Sequence, residues 1–110
     1  MTTLYVAGPM TGLPEFNYPA FNEAAEQLMV KGFAVFNPVT AEERNPTPGI
    51  PQDWDWYMRH ALRMVLDSDG IALLPDWEKS KGATLEVVVA NALGLTVRPV
   101  EEWLAVGVTP

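Results

Sequence analysis

The sequence contains no cysteine and only one histidine, His60. The absence of cysteine excludes disulfide bonds, thiolate metal sites and cysteine nucleophiles. A zinc site is disfavoured as well, because such sites are built mainly from Cys and His ligands. We therefore expect no metal and no cofactor, so any chemistry must rest on carboxylates, hydroxyls and backbone groups.

Positive charge is also scarce. Seven Lys and Arg residues stand against 14 Asp and Glu residues, which gives a net charge of −7, and the basic positions are scattered along the chain. Nucleic-acid binding requires clustered Lys and Arg, so we expect no nucleic-acid partner. A small anionic ligand is still compatible with this composition, since backbone amides at a helix start can hold a phosphate.

Long apolar runs are missing. No run approaches the length that spans a bilayer, and Met1-Thr2-Thr3 leads into Leu4 without the basic region and apolar core of a signal peptide. These features predict a cytoplasmic protein without a membrane partner. The length of 110 residues and the hydrophobic content of 48% predict one compact domain over residues 1–110.

What the chain does contain is an alternation of two apolar periods. Short apolar runs bounded by Gly, Pro and Asn predict strands over residues 3–8, 33–36, 70–75 and 95–98. Helical spacing predicts helices from Asn17 to Lys31-Gly32, after Asp53, over about 82–93, and for a last turn or two over 100–105. This order predicts a three-layer α/β protein with a parallel sheet and right-handed crossovers.

Two helices and one loop carry more detailed predictions. The helix after its cap Asp53 should bury Tyr57, Met58, Ala61, Leu62 and Val65. The helix over 82–93 is predicted from the apolar residues Leu85, Val88, Val89, Ala92 and Leu93, which recur at helical spacing until Gly94. The segment Val39 to Gln52 carries Pro46, Pro48, Pro51 and Gly49, so it should lack a regular helix and serve as a lid or binding loop.

A parallel sheet brings the loops at 8–14, 37–52 and 75–82 to one edge, where ligands bind in open α/β folds. Glu86 lies about one turn into the helix that follows the third of these loops. That position favours a carboxylate anion by roughly 0.3–1 kcal/mol. Glu86 is therefore a candidate functional residue, although complementing the helix dipole is the plainer interpretation.

Three segments together resemble a known family. They are Tyr5-Val-Ala-Gly-Pro-Met-Thr-Gly12, Phe36-Asn-Pro38 and Leu74-Pro-Asp-Trp-x-x-Ser80-x-Gly-Ala-x-x-Glu86. The chain resembles small phage and prophage domains of unknown function, which are similar to nucleoside 2-deoxyribosyltransferases and 2'-deoxynucleoside 5'-monophosphate N-hydrolases. The resemblance implies a flavodoxin-like or Rossmann-like parallel sheet of four to five strands with flanking helices.

The resemblance also implies a site. Glu86 would be the nucleophile on the anomeric carbon of the sugar, Tyr5 would orient its carboxylate, and the turn after the first strand with Ser80 and Gly82 would hold a 5'-phosphate. A nucleoside or nucleotide would be the ligand, in a homodimer or larger homo-oligomer whose neighbouring subunit closes the site. The candidate substrate-binding residues are Gly8, Pro9, Met10, Thr11, Gly12, Asp55, Trp77, Ser80, Gly82 and Ala83.

One departure from the family pattern leaves the function open. The enzymes carry an aspartate on the helix before the third strand, and Ala61 aligns with it here. Leaving-group protonation is then unassigned, with Asp53, Asp55 and His60 as possible substitutes. The expected function is cleavage or transfer of an N-glycosidic bond in deoxynucleosides or their 5'-monophosphates. The alternatives are a non-catalytic nucleotide-binding domain and a glycosidase for nicotinamide or ADP-ribose-type nucleotides.

Several other residues have two interpretations each. Trp77 either stacks on a base or covers the edge of the core. Trp54 and Trp56 either line the pocket or belong to the core or a subunit interface. Asp67 and Asp69 precede the third strand, so they should lie at the edge opposite the ligand crevice.

Overall fold

A four-stranded parallel sheet forms the centre of the computed structural model, which describes residues 1–107. The strands are β1 (Thr3–Ala7), β2 (Ala34–Phe36), β3 (Gly70–Leu73) and β4 (Thr96–Pro99). The helices are α1 (Tyr18–Val30), α2 (Trp54–Leu66), α3 (Lys81–Ala92) and α4 (Val100–Val106). The strand order β2-β1-β3-β4 is the flavodoxin-like order, which confirms the predicted fold class.

Alternation along β1 divides the apolar core into two layers. Leu4 and Val6 pack on one face of the sheet with α1 and α4, where Phe21 and Leu28 are fully buried. Tyr5 lies on the other face with residues of α2 and α3. Because side chains alternate along a strand, the central strand β1 contributes to both layers and fixes which helices share a layer with Tyr5.

The helix α3 lies where apolar spacing predicted it, but its buried face is a different set of residues. The residues that α3 buries are Ala83, Glu86, Val87 and Ala90. Val88 and Leu93, which belong to the apolar spacing, are 63% and 48% exposed. Because α3 is apolar on both sides, its periodicity does not show which side meets the sheet.

The helix α2 follows its prediction more closely. Met58, Ala61 and Val65 are buried, whereas Tyr57 and Leu62 are half-buried. The predicted cap Asp53 occupies the residue before the helix, but its side chain makes no capping hydrogen bond.

The other differences concern element ends. The first and third strands end at Ala7 and Leu73, earlier than predicted, and β4 runs one residue later than predicted. The proline-rich loop contains a 3-10 helix, Pro38–Arg44, which is begun by the Asn37 side chain accepting a hydrogen bond from Val39 N. The prediction of no regular helix overlooked this short element, because the prolines at 46, 48 and 51 all lie beyond it. Within residues 1–107, no helix combines the length and hydropathy that a membrane crossing needs.

Candidate active site

Three loops leave the sheet at the carboxyl ends of its strands. They follow β1, β2 and β3 and lead to α1, α2 and α3. All paired strands run parallel, so these loops lie at the same edge of the sheet, as the sequence predicted. The residues of the candidate site belong to these loops, to the strand β1, to the first turn of α2 and to the first two turns of α3.

A buried hydrogen bond joins two of the predicted residues. The Tyr5 hydroxyl donates to Glu86 Oε2 over 2.7 Å. Tyr5 is 1% exposed and Glu86 is 5% exposed. Tyr5 lies in the central strand, where its backbone pairs with Phe36 and Ile71, so the sheet holds the hydroxyl in place beneath α3.

Burial controls the protonation of this pair. It raises the pKa of Glu86 to about 7, although the hydrogen bond from Tyr5 lowers the pKa in part. A rise of the Glu86 pKa from 4.5 to about 7 corresponds to about 3 kcal/mol that disfavours the anion. This exceeds the roughly 0.3–1 kcal/mol by which a helix start favours the anion. Burial, and then the Glu86 charge, raise the pKa of Tyr5 well above its ordinary value. Near neutral pH, Glu86 is therefore poised between its acid and its anion while Tyr5 stays a donor.

The surroundings of the pair on the α2 side are apolar. Ala61 is buried in the same cluster as Tyr5, Ala83 and Val87. The methyl group of Ala61 thus occupies the helix position where the resemblance implies an aspartate, and α2 brings no carboxylate into this cluster.

The proposed substitutes for that aspartate lie elsewhere. Asp53 and Asp55 are exposed at the amino end of α2. His60 Nδ1 lies 2.9 Å from the Trp56 carbonyl oxygen, and its ring packs against the Trp56 ring at a tilt of 36° with the centroids 4.1 Å apart. Within residues 1–107, no contact between these residues and Glu86 supports a role for them in proton transfer.

The turn after β1 is close to the loop after β3. Leu74 N donates to the Ala7 carbonyl over 2.8 Å, and Asn17 Nδ2 donates to the Pro9 carbonyl over 3.0 Å. Met10 packs against the α1 side of the core, whereas Thr11 and Gly12 are exposed. Asn17 precedes α1, as predicted, but its side chain ties down this turn instead of capping the helix.

We expect Gly8→Ala to destabilise the protein by about 1–3 kcal/mol, the range seen when a close-packed position is overfilled. A β-carbon at Gly8 would lie 2.7 Å from Leu74 Cβ, which is part of the loop that follows β3. Urea unfolding of the two proteins measures the loss. A change within about 0.5 kcal/mol, as at ordinary surface sites, would mean that the two loops separate freely.

The segment that leads into α3 is held by local contacts. Ser80 Oγ accepts a hydrogen bond from Ala83 N over 3.1 Å and caps the helix. A β-carbon at Gly82 would lie 3.2 Å from Met58 Sδ, so α2 and α3 approach closely there. Trp77 is half-buried and packs against the layer that contains Tyr5, as expected for a residue covering the core edge. Phosphate or base contacts by these residues remain predictions.

The structure adds a polar network that the sequence analysis missed. The Tyr57 hydroxyl donates to Glu42 Oε2 over 2.9 Å, and Asn45 Nδ2 donates to Glu42 Oε1 over 2.8 Å. Gln52 N donates to the Tyr57 hydroxyl over 3.2 Å, so the network anchors the proline-rich loop to α2. The one signal in the sequence was the polar Tyr57 at a predicted inner position, one turn before Ala61. No local sequence pattern indicates that Tyr57 pairs with Glu42.

The acidic residues before β3 lie at the opposite edge, as predicted. Asp69 Oδ2 accepts a hydrogen bond from Thr3 N over 2.8 Å, and Asp69 N donates to the Thr3 carbonyl over 2.7 Å. Asp67 is the residue at which α2 ends. Asp69 therefore holds the start of the sheet, and Asp67 lies at the end of a helix. Within residues 1–107, no group of three His, Asp or Glu side chains is arranged to hold a metal ion.

A family model described as "Domain of unknown function (DUF4406)" matches residues 2–98. No curated protein matches the chain. Among solved structures, the fold is similar to that of a 2-deoxyribosyltransferase from Bacillus psychrosaccharolyticus, with 21% identity and a TM-score of 0.66. That comparison covers 87% of this chain and 69% of the other.

A 2-deoxyribosyltransferase from Leishmania mexicana is similar to the same degree. It has 19% identity and a TM-score of 0.66, and the match covers 90% of this chain and 63% of that one. The chain therefore spans somewhat less than two thirds of the Leishmania enzyme. At these identities the likeness shows the fold, and it confirms the predicted resemblance to the deoxyribosyltransferase fold.

Proposed function

This chain belongs to the DUF4406 family of domains of unknown function, and we propose that it cleaves or transfers the N-glycosidic bond of deoxynucleosides or their 5'-monophosphates. The observation that carries the proposal is the buried hydrogen bond between Tyr5 and Glu86 at the ligand edge of the sheet. A similar sheet occurs in two 2-deoxyribosyltransferases, which supports the choice of reaction. Residues 1–110 would form one such domain.

In the proposed reaction, a Glu86 oxygen attacks the anomeric carbon C1' of the sugar. The bond from C1' to the base nitrogen breaks, and the base leaves with the electron pair and takes up a proton from solvent water. Positive charge develops on the sugar in this step, and a nearby carboxylate stabilises it. Water or a second base then attacks C1' and loses a proton to solvent, which breaks the ester to Glu86 and restores the carboxylate.

The nucleophile must be ionised when it attacks. Burial makes the pKa of Glu86 about 7, so roughly half of the free protein carries the anion at neutral pH. Tyr5 donates to one carboxylate oxygen and leaves the other to reach the sugar. The Tyr5 hydroxyl therefore both orients Glu86 and stabilises its reactive form.

The loops at the same edge would hold the rest of the substrate. Gly8 packs against Leu74 of the loop after β3, and Ser80 to Gly82 begin α3; the residues of the Gly8–Gly12 turn and of Ser80 to Gly82 are exposed or half-buried. Backbone amides at a helix start favour a phosphate, which suits a 5'-monophosphate at this place. To contact a phosphate, Ser80 would share a hydroxyl that already caps α3.

Incubation with a panel of deoxynucleosides and their 5'-monophosphates tests the proposal, with release of free base followed by chromatography. We expect release from at least one substrate, at a rate that rises with pH through about 7 as Glu86 ionises. The proposal fails if no substrate releases base above the level of Glu86→Gln. A monophosphate that raises the melting temperature of both proteins without turnover would instead support a non-catalytic binding domain, which the buried Ala61 favours.

We expect Tyr5→Phe to move the pH profile of this reaction upward. Loss of the hydroxyl removes the hydrogen bond that lowers the pKa of Glu86, so its carboxyl group ionises at a higher pH. The kcat/KM at pH 7 should fall by about 10-fold or more, as for the loss of a hydrogen bond to a charged group, and should partly recover at higher pH. Tyr57→Phe, which removes a hydroxyl from the neighbouring network, is the matched control. An unshifted profile in Tyr5→Phe would contradict the role given to Tyr5.

A further inference from the structure

Glu42 is a half-buried carboxylate that the proposed reaction does not use. The Tyr57 hydroxyl donates to its Oε2 atom over 2.9 Å, and Asn45 Nδ2 donates to its Oε1 atom over 2.8 Å. Within residues 1–107, no Lys, Arg or His side chain forms an ion pair with it. Each carboxylate oxygen has two lone pairs, so each can accept one further hydrogen bond. Glu42 is therefore a negative group in a fixed place with unused acceptors.

This carboxylate lies at the ligand edge of the sheet. The 3-10 helix Pro38–Arg44, which carries it, packs against β1 as well as against α1 and α2. Tyr57 is four residues before Ala61, which places both on one side of α2 and about 6 Å apart along its axis. Ala61 is buried in the cluster that contains Tyr5. Because α2 begins at the ligand edge, Tyr57 is one turn nearer to that edge than Ala61, and its hydroxyl holds the carboxylate there.

Tyr18, the first residue of α1, lies near the same carboxylate. Asn37 Nδ2 donates to Asn22 Oδ1 over 2.9 Å, which ties the loop after β2 to α1 one turn beyond Tyr18. Burial first, and then electrostatic interaction with Glu42 and Tyr57, raise the pKa of Tyr18, so its hydroxyl stays protonated near neutral pH. Within residues 1–107, this hydroxyl forms no hydrogen bond. Tyr18 therefore supplies an available donor within the field of the carboxylate.

The backbone before Tyr18 is strained. Glu15, Phe16 and Asn17 are consecutive non-glycine residues in the left-handed region, with φ of 53°, 52° and 61°. Asn17 Nδ2 holds the segment through its hydrogen bond to the Pro9 carbonyl. Phe16 is 57% exposed, and its ring centre lies 6.1 Å from that of Tyr18. Such conformations cluster at ligand sites. The strained segment thus presents an aromatic ring beside Tyr18, where a ligand can contact it.

The charge of Glu42 restricts which part of a nucleotide can approach it. A phosphate would be repelled, whereas the backbone amides at the start of α3 favour it. With the phosphate there and C1' at Glu86, the base is the part that faces Glu42. The substituent of a base that lies farthest from the sugar is an amino group in cytosine and adenine, with a ring-nitrogen acceptor beside it. In uracil and hypoxanthine it is a carbonyl oxygen. Of these two groups, only the amino group can donate to a carboxylate.

We propose that Glu42 and Tyr18 select nucleotides whose base carries this amino group, namely those of cytosine and adenine. Glu42 accepts a hydrogen bond from the amino group, and the Tyr18 hydroxyl donates to the ring nitrogen beside it. Uracil and hypoxanthine present a carbonyl oxygen instead, so the carboxylate loses its donor and faces a second acceptor. Tyr57 positions the carboxylate. This inference rests on the proposed function, because it assumes a nucleotide whose C1' lies at Glu86.

The binding of two matched pairs of deoxynucleoside 5'-monophosphates tests the proposal, cytosine against uracil and adenine against hypoxanthine. Calorimetric titration of Glu86→Gln measures affinity without turnover. We expect the amino member of each pair to bind about 10-fold more tightly or better, as for a hydrogen bond to a charged group. In the same background, Glu42→Gln should remove the preference, because an amide can donate to a carbonyl oxygen as well as accept. Absence of binding, or equal affinities within either pair, overturns the proposal.

Two further variants guard against a loosened loop in Glu42→Gln. Glu43→Gln makes the same change at the exposed neighbouring position and should keep the preference. Tyr18→Phe leaves the Glu42 hydrogen bonds intact and should weaken the binding of the amino members by about 3-fold to 10-fold, as for one neutral hydrogen bond. Circular dichroism verifies that each variant is folded. A preference that survives Glu42→Gln, or that Glu43→Gln removes equally, overturns the proposal.

Release of free base by the wild type separates this inference from the proposed reaction. Selective binding of the amino members without release of base supports recognition by Glu42 and overturns the reaction. Release that proceeds with the same kcat/KM for both members of each pair supports the reaction and overturns the recognition.

Discussion

Glu86→Gln is expected to lower kcat for N-glycosidic cleavage by about 10³-fold or more, the scale seen when the nucleophile of a covalent mechanism is removed. The amide keeps the size of the side chain and can still accept the hydrogen bond from the Tyr5 hydroxyl, which spans 2.7 Å in the wild type. It cannot form an ester with the sugar, and it carries no negative charge to stabilise the sugar cation. The loss should therefore appear in kcat while the folded structure is retained.

The measurement is release of free base by wild type, Glu86→Gln and a control, Glu78→Gln. Glu78 is exposed, eight positions earlier in the chain, and undergoes the same chemical change. We expect the control to match the wild type. When turnover is stopped by denaturing the protein, we expect the wild type to carry a covalent sugar adduct. Glu86→Gln should lack this adduct. Equal rates in wild type and Glu86→Gln would remove Glu86 from the mechanism, whatever reaction is observed.

The same substitution should change how stability depends on pH. The folded pKa of Glu86 is about 7, above the ordinary value of 4.5, so between these values the folded state binds more protons than the unfolded state. Stability linked to Glu86 is then fully present below pH 4.5 and is lost as the pH rises through about 7. The total loss is about 3 kcal/mol, from roughly 1.4 kcal/mol per unit of pKa.

Glu86→Gln cannot ionise, so it should not show this loss. The difference in unfolding free energy between variant and wild type should grow in favour of the variant from pH 4.5 to 7 and stay constant above that. Urea unfolding at steps of half a pH unit measures this difference in unfolding free energy. The contributions of all other carboxylates are the same in both proteins, so they cancel in the difference. Glu78→Gln, at an exposed position, should show a flat difference. A flat difference for Glu86→Gln would indicate that water reaches its carboxyl group in solution.

The positions of the strands along the chain and the ligand edge could be predicted from the sequence, because they depend on signals that are local in the chain. Runs such as Gly70–Leu73 are short and apolar, and Gly, Pro or Asn residues end them, so their place and type follow from a few neighbouring residues. Parallel direction then follows from the helices between the strands. The short 3-10 helix at Pro38–Arg44 was missed because it depends on one Asn37 hydrogen bond within a loop rich in proline.

The candidate site could be predicted only in part. Glu86 was selected from its place near a helix start, and the family resemblance supplied its partner, Tyr5. The interpretation that a helix start favours the anion was incomplete, because burial acts in the opposite direction and is the larger effect. The hydrogen bond between Glu42 and Tyr57 joins residues 15 positions apart across a loop, so no local sequence pattern predicts it.

By itself, the sequence determined the order of strands and helices, the absence of thiol chemistry and the acidic surface, since each of these depends on composition or on neighbours along the chain. The tertiary structure decided which side of α3 faces the sheet. Apolar residues occupy both sides of that helix, so hydrophobic periodicity could not choose between them. The packing of α3 on the layer that contains Tyr5 and Ala61 turned Glu86 inward, where burial sets its protonation, and left Val88 63% exposed on the outer side of the helix.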